Sequence, residues 1–91
     1  MMEVSELIGL QVYTKDGVFI GTVDNIILDL AKQKVYGLFI GESNPLLVEG
    51  GYPICIPYRW VRAVGDIILL RYFPKKIKIR KETPLEEELI A

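Results

Sequence analysis

The apolar residues of this chain fall in short, β-branched runs separated by turn residues at close spacing, and a helical period is nearly absent until the end. Runs of this kind are typical of strands, and many short strands in one chain are typical of a sandwich or a barrel. A chain of 91 residues has room for one domain, so the strands must share one core. The pattern predicts an all-β fold: a small, strongly bent, antiparallel β-barrel of about five to six strands, followed by a C-terminal basic strand and a short helix.

Turn residues set the expected boundaries of these elements. Asp16-Gly17 and Gly65-Asp66 predict hairpin turns, because glycine adopts a positive φ without steric cost. Pro74 ends the last strand of the barrel, so we expect a domain over 1–74 and a tail over 75–91. The expected elements of the domain are a helical turn over 5–9 and strands over 10–13, 18–29, 35–41, 52–57, 61–64 and 67–73.

The second of these predicted strands changes phase in its middle. Phe19, Gly21 and Val23 share one face, but strict alternation would place Asp24 on the same side as the inward residues that follow it. A slip of one residue near Asp24-Asn25 restores the pattern, so we predict a β-bulge there. Gly21 is expected to ease the bend that a small barrel needs in order to close.

Composition excludes several classes of site. The chain has no histidine and a single cysteine, Cys55, which excludes a histidine-based triad, a zinc site built on histidine or a cysteine cluster, and an internal disulfide. The 11 basic residues nearly balance the 12 acidic ones, whereas a general nucleic-acid binder carries a clear basic excess. A hydrophobic fraction of 51% excludes disorder of the whole chain. We expect a protein that is not an enzyme and that has no cofactor and no metal.

The sequence also bears on location. The longest strictly apolar run, residues 67–70, is far shorter than the ~20 residues of a transmembrane helix. The first residues are acidic and lack the apolar core of a signal peptide. We therefore expect a cytoplasmic protein.

Side chains with the chemistry of active sites have structural explanations here. Asp24, Asp29 and Asp66 lie at turns and strand ends, where aspartate commonly accepts hydrogen bonds from backbone N–H groups. Cys55 alternates with isoleucines and has no histidine to activate it, so we expect a small buried hydrophobic residue. The glycines at 17, 21, 50 and 51 match no phosphate-binding loop, and turn geometry explains them.

Three of the predicted strands are apolar on both faces, which is more than one small core buries. The residues expected to point inward are Ile26, Leu28, Leu38, Ile40, Ile68 and Leu70, and those expected to point outward are Ile27, Phe39, Ile67 and Leu69. An exposed apolar cluster marks an interaction surface, so we predict a homodimer on it, with the folded-back tail as the alternative cover. Tyr58 and Trp60, flanked by arginines, are expected interface anchors, or else a lid on the barrel.

The tail has a basic part and an acidic part. Residues 75–81 alternate basic and apolar side chains, which indicates an added edge strand, and Thr83-Pro84 with Glu86 predict the start of a short helix. Such a helix is too short to be stable alone and must dock on something. The apolar side chains expected at a partner interface are Ile77, Ile79 and Leu85. The basic side chains are either solvated or in contact with nucleic acid or lipid: Lys75, Lys76, Lys78, Arg80 and Lys81.

Several short motifs follow one another in a recognisable order. They are Leu7-Ile8-Gly9, Val12, Asp16-Gly17, Ile20-Gly21, Val23, Ile26, Leu28-Asp29, Ile56-Pro57, Val61 and Val64-Gly65-Asp66. In this order and spacing, over residues 5–73, the chain resembles the PRC-barrel family. The resemblance implies a small, strongly bent β-barrel, in agreement with the strand pattern.

Within that family the chain is most similar to the stand-alone, single-domain archaeal proteins. It has no counterpart of the membrane helix of the reaction-centre H subunit or of the N-terminal barrel of the ribosome maturation factor RimM. Some stand-alone members are cell-division adaptors that associate with the membrane anchor SepF and with one another. The resemblance therefore implies a homodimeric adaptor that binds SepF or a related PRC-barrel protein and reaches the division site at the membrane through this partner.

A second function stays open at this stage. The basic strip over 75–81 would suit a ribosome- or RNA-associated factor, whose binding should weaken steeply as salt rises. Binding of a small ligand inside the barrel is a weaker alternative, because a barrel of this size is usually filled by its own side chains.

Overall fold

Seven short strands in two sheets make up the fold in the computed structural model, which describes residues 4–78. The strands are β1 (Gln11–Tyr13), β2 (Phe19–Thr22), β3 (Asn25–Asp29), β4 (Lys34–Ile40), β5 (Ile54–Pro57), β6 (Val61–Val64) and β7 (Ile68–Leu70). Within the described residues, the helical segments are three 3₁₀ turns at Val4–Leu7, Glu49–Gly51 and Tyr58–Trp60, and none of them could span a membrane. The all-β prediction is confirmed, whereas the predicted C-terminal helix lies outside the described residues.

The strand order departs from the predicted antiparallel arrangement at one place. A four-stranded sheet has the order β2-β1-β7-β6, and a three-stranded sheet has the order β3-β4-β5. All neighbouring strands are antiparallel except β1 and β7, which run parallel. This parallel pair corrects the prediction. It arises because the hairpin from β6 brings β7 back into the place beside β1.

The hydrogen-bonded ladders of the described residues do not close into the predicted barrel. The chain itself joins the two sheets at their edges, at Val23-Asp24 between β2 and β3 and through Tyr58–Trp60 between β5 and β6. The Val23 N–H still donates to the Leu10 carbonyl beside β1 at 2.9 Å, whereas the Asp24 N–H donates to the Phe39 carbonyl of β4 at 2.8 Å. The chain thus changes sheets between two adjacent residues, so the long second strand predicted from the sequence is two strands.

A β-bulge was predicted near Asp24-Asn25, but the chain instead forms a corner at Val23-Asp24, where it passes from one sheet to the other. The register shifts between paired strands lie elsewhere. They fall between Val12 and Tyr13, between Ile27 and Leu28, and between Val61 and Ala63. Leu28, which was expected to point into the core, is 49% exposed. After the register shift this end of β3, an edge strand, extends beyond the core cluster.

Side chains from both sheets form a single core. Leu38 and Ile40 from the three-stranded sheet meet Ile68 and Leu70 from the four-stranded sheet, and all four are fully buried as predicted. Ile26 is half-buried against this cluster. Each fully buried aliphatic side chain contributes about 1.5–3 kcal/mol on the usual transfer scale. The core therefore lies between the sheets, and the opposite faces of both sheets are left for solvent or partners.

The turns predicted at Gly17 and at Gly65-Asp66 are present. Gly17 has a φ of 87°, and its N–H donates to the Thr14 carbonyl at 2.9 Å. Gly65 and Asp66 connect β6 to β7, and the Gly65 N–H donates to the Ile67 carbonyl at 2.9 Å.

Gly21 has a different role from the one predicted. It is buried inside β2 rather than placed in a turn or bend. A Cβ at this position would lie 2.5 Å from Cγ2 of Ile40 and 2.8 Å from the backbone oxygen of Glu42. Only glycine fits here, because β2 passes directly over the end of β4 where the two sheets meet.

Candidate interaction surfaces

The outer face of the four-stranded sheet carries an uncharged row that crosses all four strands. Tyr13 of β1 pairs with Phe19 of β2 on one side and with Leu69 of β7 on the other, and Leu69 pairs in turn with Ala63 of β6. Phe19 is 39% exposed, Ala63 is exposed, and the other two are half-buried. The rings of Tyr13 and Phe19 meet edge to face with their centroids 5.5 Å apart. We name Phe19, Tyr13, Leu69 and Ala63 the transverse row.

Sequence reasoning identified only Leu69 of this row. Phe19 was assigned to the same face as Gly21 and Val23, both of which are buried. The register shift between β1 and β2 separates Phe19 from these residues and puts it opposite Tyr13. No signal in the sequence places this shift, because it depends on which strands become neighbours.

The outer face of the three-stranded sheet forms a second uncharged surface. Ile27 of β3 lies opposite Gly37 of β4, which pairs in turn with Pro57 of β5, and Phe39 of β4 lies opposite Cys55. Ile27 is 38% exposed and Phe39 is half-buried. We name Ile27, Phe39, Cys55 and Pro57 the β3–β5 face.

Cys55 is exposed on this face, and the expectation that it is buried is wrong. It alternates with Ile54 and Ile56, whose side chains take the core side of β5, so Cys55 takes the outer side. Its Sγ lies over the backbone of Gly37, where an added Cβ would come within 2.7 Å of the sulfur. Partial burial raises the pKa of the Cys55 thiol. A raised pKa makes it a poor nucleophile at neutral pH.

The predicted interface residues therefore belong to two surfaces. Ile27 and Phe39 lie on the β3–β5 face, whereas Leu69 lies in the transverse row. Ile67, 41% exposed, lies two residues before Leu69, just ahead of β7. The two sheets pack on a common core, so these two surfaces point away from each other. A single interface cannot contain all four residues.

Tyr58 and Trp60 were expected either as interface anchors or as a lid, and both are half-buried against the core. The Trp60 ring meets Tyr72 edge to face at 4.8 Å and Phe73 at 6.1 Å between centroids. This aromatic cluster fits the lid interpretation, because the indole already has partners within its own chain.

The start of the tail is joined to the loop after β4 through Ile77. Ile77 is half-buried and forms an isolated parallel bridge with Val48; its N–H donates to the Leu47 carbonyl at 2.7 Å. The predicted edge strand is thus represented by a single bridge among the described residues. The three lysines of this part, Lys75, Lys76 and Lys78, are exposed. The remaining tail residues singled out from the sequence lie outside the described residues: Ile79, Arg80, Lys81 and Leu85.

Backbone hydrogen bonding was predicted for three aspartates, and two of them, Asp24 and Asp29, show it. Asp24 Oδ2 accepts the N–H of Gly41 at 2.7 Å, and Asp29 Oδ1 accepts the N–H of Lys32 at 3.2 Å. Within residues 4–78, no such hydrogen bond to the Asp66 carboxylate is present. No cluster of three potential metal ligands occurs within residues 4–78.

A cleft of about 570 Å³ lies beside Phe19. It is lined by Ser43 and Asn44, whose side chains are already used within the fold. The Ser43 hydroxyl donates to the Tyr52 carbonyl at 2.6 Å, and the Asn44 amide donates to the Phe19 carbonyl at 2.7 Å. These polar groups hold the loop after β4 in place, and they are not free to bind or activate a substrate.

Comparison with known proteins gives a match to a family model. No curated protein matches the chain. The family model of the PRC-barrel domain matches residues 1–77, which is most of the chain. This chain belongs to the PRC-barrel domain family.

Proposed function

We propose that this protein is a non-catalytic protein–protein interaction module that pairs with itself through the transverse row. The observation that carries the proposal is the register of that row: four uncharged side chains lie in line across the entire sheet. A row of this kind is self-complementary about a two-fold axis, because each end can meet the opposite end of a second copy. Burial of its aromatic and aliphatic side chains on pairing supplies the driving force.

Light scattering across a concentration series tests self-pairing. We expect the wild-type chain to approach twice its 10.4 kDa mass as concentration rises. Leu69→Lys should give a monomer at the same concentrations, because a symmetric contact would bury the new charge twice. Ala63→Glu is the second variant and should also give a monomer. Because Ala63 is exposed, this change removes no core packing. Circular dichroism of both variants checks that they fold.

Phe39→Lys is the matched control on the opposite face. It should leave the dimer intact if the transverse row carries self-pairing. A monomer from Phe39→Lys together with a dimer from Leu69→Lys would assign self-pairing to the β3–β5 face and contradict the proposal. A wild-type monomer at every concentration would also contradict it.

The finer part of the proposal is an adaptor role in archaeal cell division, with SepF as the partner. Its support is the resemblance to stand-alone archaeal PRC-barrel proteins. Pairing through the transverse row would leave the β3–β5 face free for such a partner. We expect purified SepF to bind the immobilised wild-type chain and the Leu69→Lys variant, and to bind Phe39→Lys at least tenfold more weakly, a loss of about 1.4 kcal/mol. Equal binding to all three, or to none, would contradict this assignment.

A ribosome- or RNA-associated function is the second candidate. The exposure of Lys75, Lys76 and Lys78 on one short stretch favours it. A complex with RNA through these lysines would weaken steeply as salt rises, whereas pairing through an uncharged row would not.

A further inference from the structure

A groove at the end of the β3–β4 hairpin combines basic and aliphatic walls. One part, about 310 Å³, is lined by Lys32, Lys34 and Arg59 with two tyrosines, Tyr36 and Tyr58. The adjoining part, about 380 Å³, has an aliphatic lining that comprises Val4, Leu28, Leu30 and Val35. The two parts share Asp29, Lys34 and Val35, so they adjoin each other. We name these lining residues together the hairpin groove.

The basic part of the hairpin groove favours a carboxylate-bearing ligand. Lys32, Lys34 and Arg59 are all exposed. Asp29 is the one acidic residue among the lining, and its carboxylate accepts the Lys32 backbone N–H at 3.2 Å. Three cations against one carboxylate leave a local positive excess, although the chain as a whole carries a net charge of −1. Clefts lined by one sign of charge attract the opposite sign.

The aliphatic part of the hairpin groove favours a peptide over a nucleic acid as the ligand. Leu30 is 80% exposed, Leu28 is 49% exposed and Val4 is 41% exposed. A nucleic acid held by the three cations would stack on Tyr36 and Tyr58, and it would leave the aliphatic side chains in water. A peptide that carries both carboxylates and leucines would satisfy the charges and cover the aliphatic wall at once.

The chain contains such a peptide in residues 82–90. This segment has four glutamates, no basic residue, and the aliphatic residues Leu85, Leu89 and Ile90. This segment can also reach the hairpin groove. Ile77 is tied to Val48 in the loop that follows β4, and Leu85 is eight residues further along the chain, a reach of up to ~26 Å. The hairpin groove lies at the other end of β4, a distance of ~20 Å along a strand of this length.

We propose that residues 82–90 dock in the hairpin groove of their own chain. The glutamates face Lys32, Lys34 and Arg59, and the aliphatic side chains cover Leu28 and Leu30. The segment occupies neither the transverse row nor the β3–β5 face, so this inference does not rest on self-pairing.

A spin label at the end of the full-length chain tests the docking. Cys55→Ser with Ala91→Cys leaves one thiol, which is modified with a nitroxide on the ¹⁵N-labelled protein. We expect the amide signals of Leu28, Leu30 and Lys34 to be lost, and those of Lys15 and Gly17, in a turn beside Lys75, to be retained. Reversing two charges, with Lys32→Glu and Lys34→Glu together, should restore the lost signals. The replacement of exposed lysines does not alter the core, and the amide spectrum itself reports folding.

Several results would overturn the proposal. Signal loss confined to the turn at Gly17, or loss that persists in the charge-reversed variant, would place the segment elsewhere. A mixture of spin-labelled ¹⁴N chains with unlabelled ¹⁵N chains reports only contacts between molecules, and loss of the hairpin-groove signals in that mixture would show that the segment docks on a second copy. If a short oligouridylate shifts the amides of the hairpin groove while the segment leaves them unchanged, the groove is a nucleic-acid site. None of these results bears on the mass measured by light scattering.

Discussion

At the scale of single residues, Gly21 is the position least tolerant of change in this fold. A methyl group there would meet Cγ2 of Ile40 at 2.5 Å and the Glu42 backbone oxygen at 2.8 Å. The isoleucine is fully buried and the oxygen belongs to the backbone, so neither moves aside easily. We expect Gly21→Ala to lower the free energy of unfolding by about 1–3 kcal/mol, as overpacking of a core typically does. Urea denaturation followed by circular dichroism measures this change.

Gly65→Ala is the matched control for this prediction. An added Cβ at Gly65 meets no atom within 4 Å, and its φ is not positive. Alanine also restricts the unfolded chain, so we expect a change between zero and about 1 kcal/mol of added stability. Equal destabilisation by the two substitutions would show that close contact between the sheets is not what requires glycine at position 21.

The thiol of Cys55 gives a pH-dependent readout of the β3–β5 face. Burial raises its pKa in the folded protein, so at a given pH the folded chain holds less thiolate than the unfolded chain. Alkylation by iodoacetamide proceeds through the thiolate. We therefore expect the rate of the folded protein to rise with pH along a curve displaced to higher pH than that of the chain unfolded in urea. A curve displaced to lower pH would show that the thiol is activated rather than buried.

At the scale of elements, the corner between β2 and β3 is held by the side chain of Asp24. The carboxylate accepts the Gly41 N–H at 2.7 Å and so joins the start of β3 to the end of β4. We expect Asp24→Ala to lower the free energy of unfolding by about 1 kcal/mol, the usual net value of one hydrogen bond. Asp66→Ala is the control, since Asp66 is an exposed turn aspartate without this connection. Equal effects of both substitutions on chemical denaturation would argue against a specific role for the corner.

The strands and turns were largely predictable, because apolar alternation and turn chemistry depend only on residues that are close together in the sequence. Leu38, Ile40, Ile68 and Leu70 were assigned to the core from their spacing alone, and all four are fully buried. Relations between elements were not predictable in this way. Nothing local in the segment from Val18 to Asp29 shows that the chain changes sheets in its middle. The parallel pairing of β1 with β7 likewise depends on strands far apart in the sequence.

For the candidate surfaces too, the outward direction of single side chains was predictable, whereas their grouping on one face was not. The sequence predicted that Phe39 and Leu69 point outward, but it placed them on one interface. Which residues share a face follows from strand order, and here the order puts them in different sheets. Tyr13 and Phe19 enter the transverse row through a register shift that no pattern of apolar residues encodes.

At the scale of the whole molecule, two uncharged surfaces on opposite sides set the possible assemblies. If only the transverse row pairs, each contact is symmetric and assembly stops at a dimer. If the β3–β5 face also paired with itself, each copy would have two contacts and assembly would continue into a chain. We expect the mass to reach a plateau at the dimer as concentration rises, because only the transverse row is proposed to pair with a second copy. A mass that keeps growing would show that both faces pair.

Salt dependence distinguishes a self-pairing module from a nucleic-acid-binding protein. The transverse row contains no charged residue, so the Kd of the dimer should stay nearly constant between low and physiological salt. Binding of RNA through Lys75, Lys76 and Lys78 would release counterions from about three phosphates, and its Kd would rise about 20–40-fold between 50 and 200 mM salt. We expect sedimentation equilibrium to give the flat dependence for the dimer. A steep loss of the dimer with salt would mean that charged groups outside the transverse row hold the two copies together, and the row would then not be the interface.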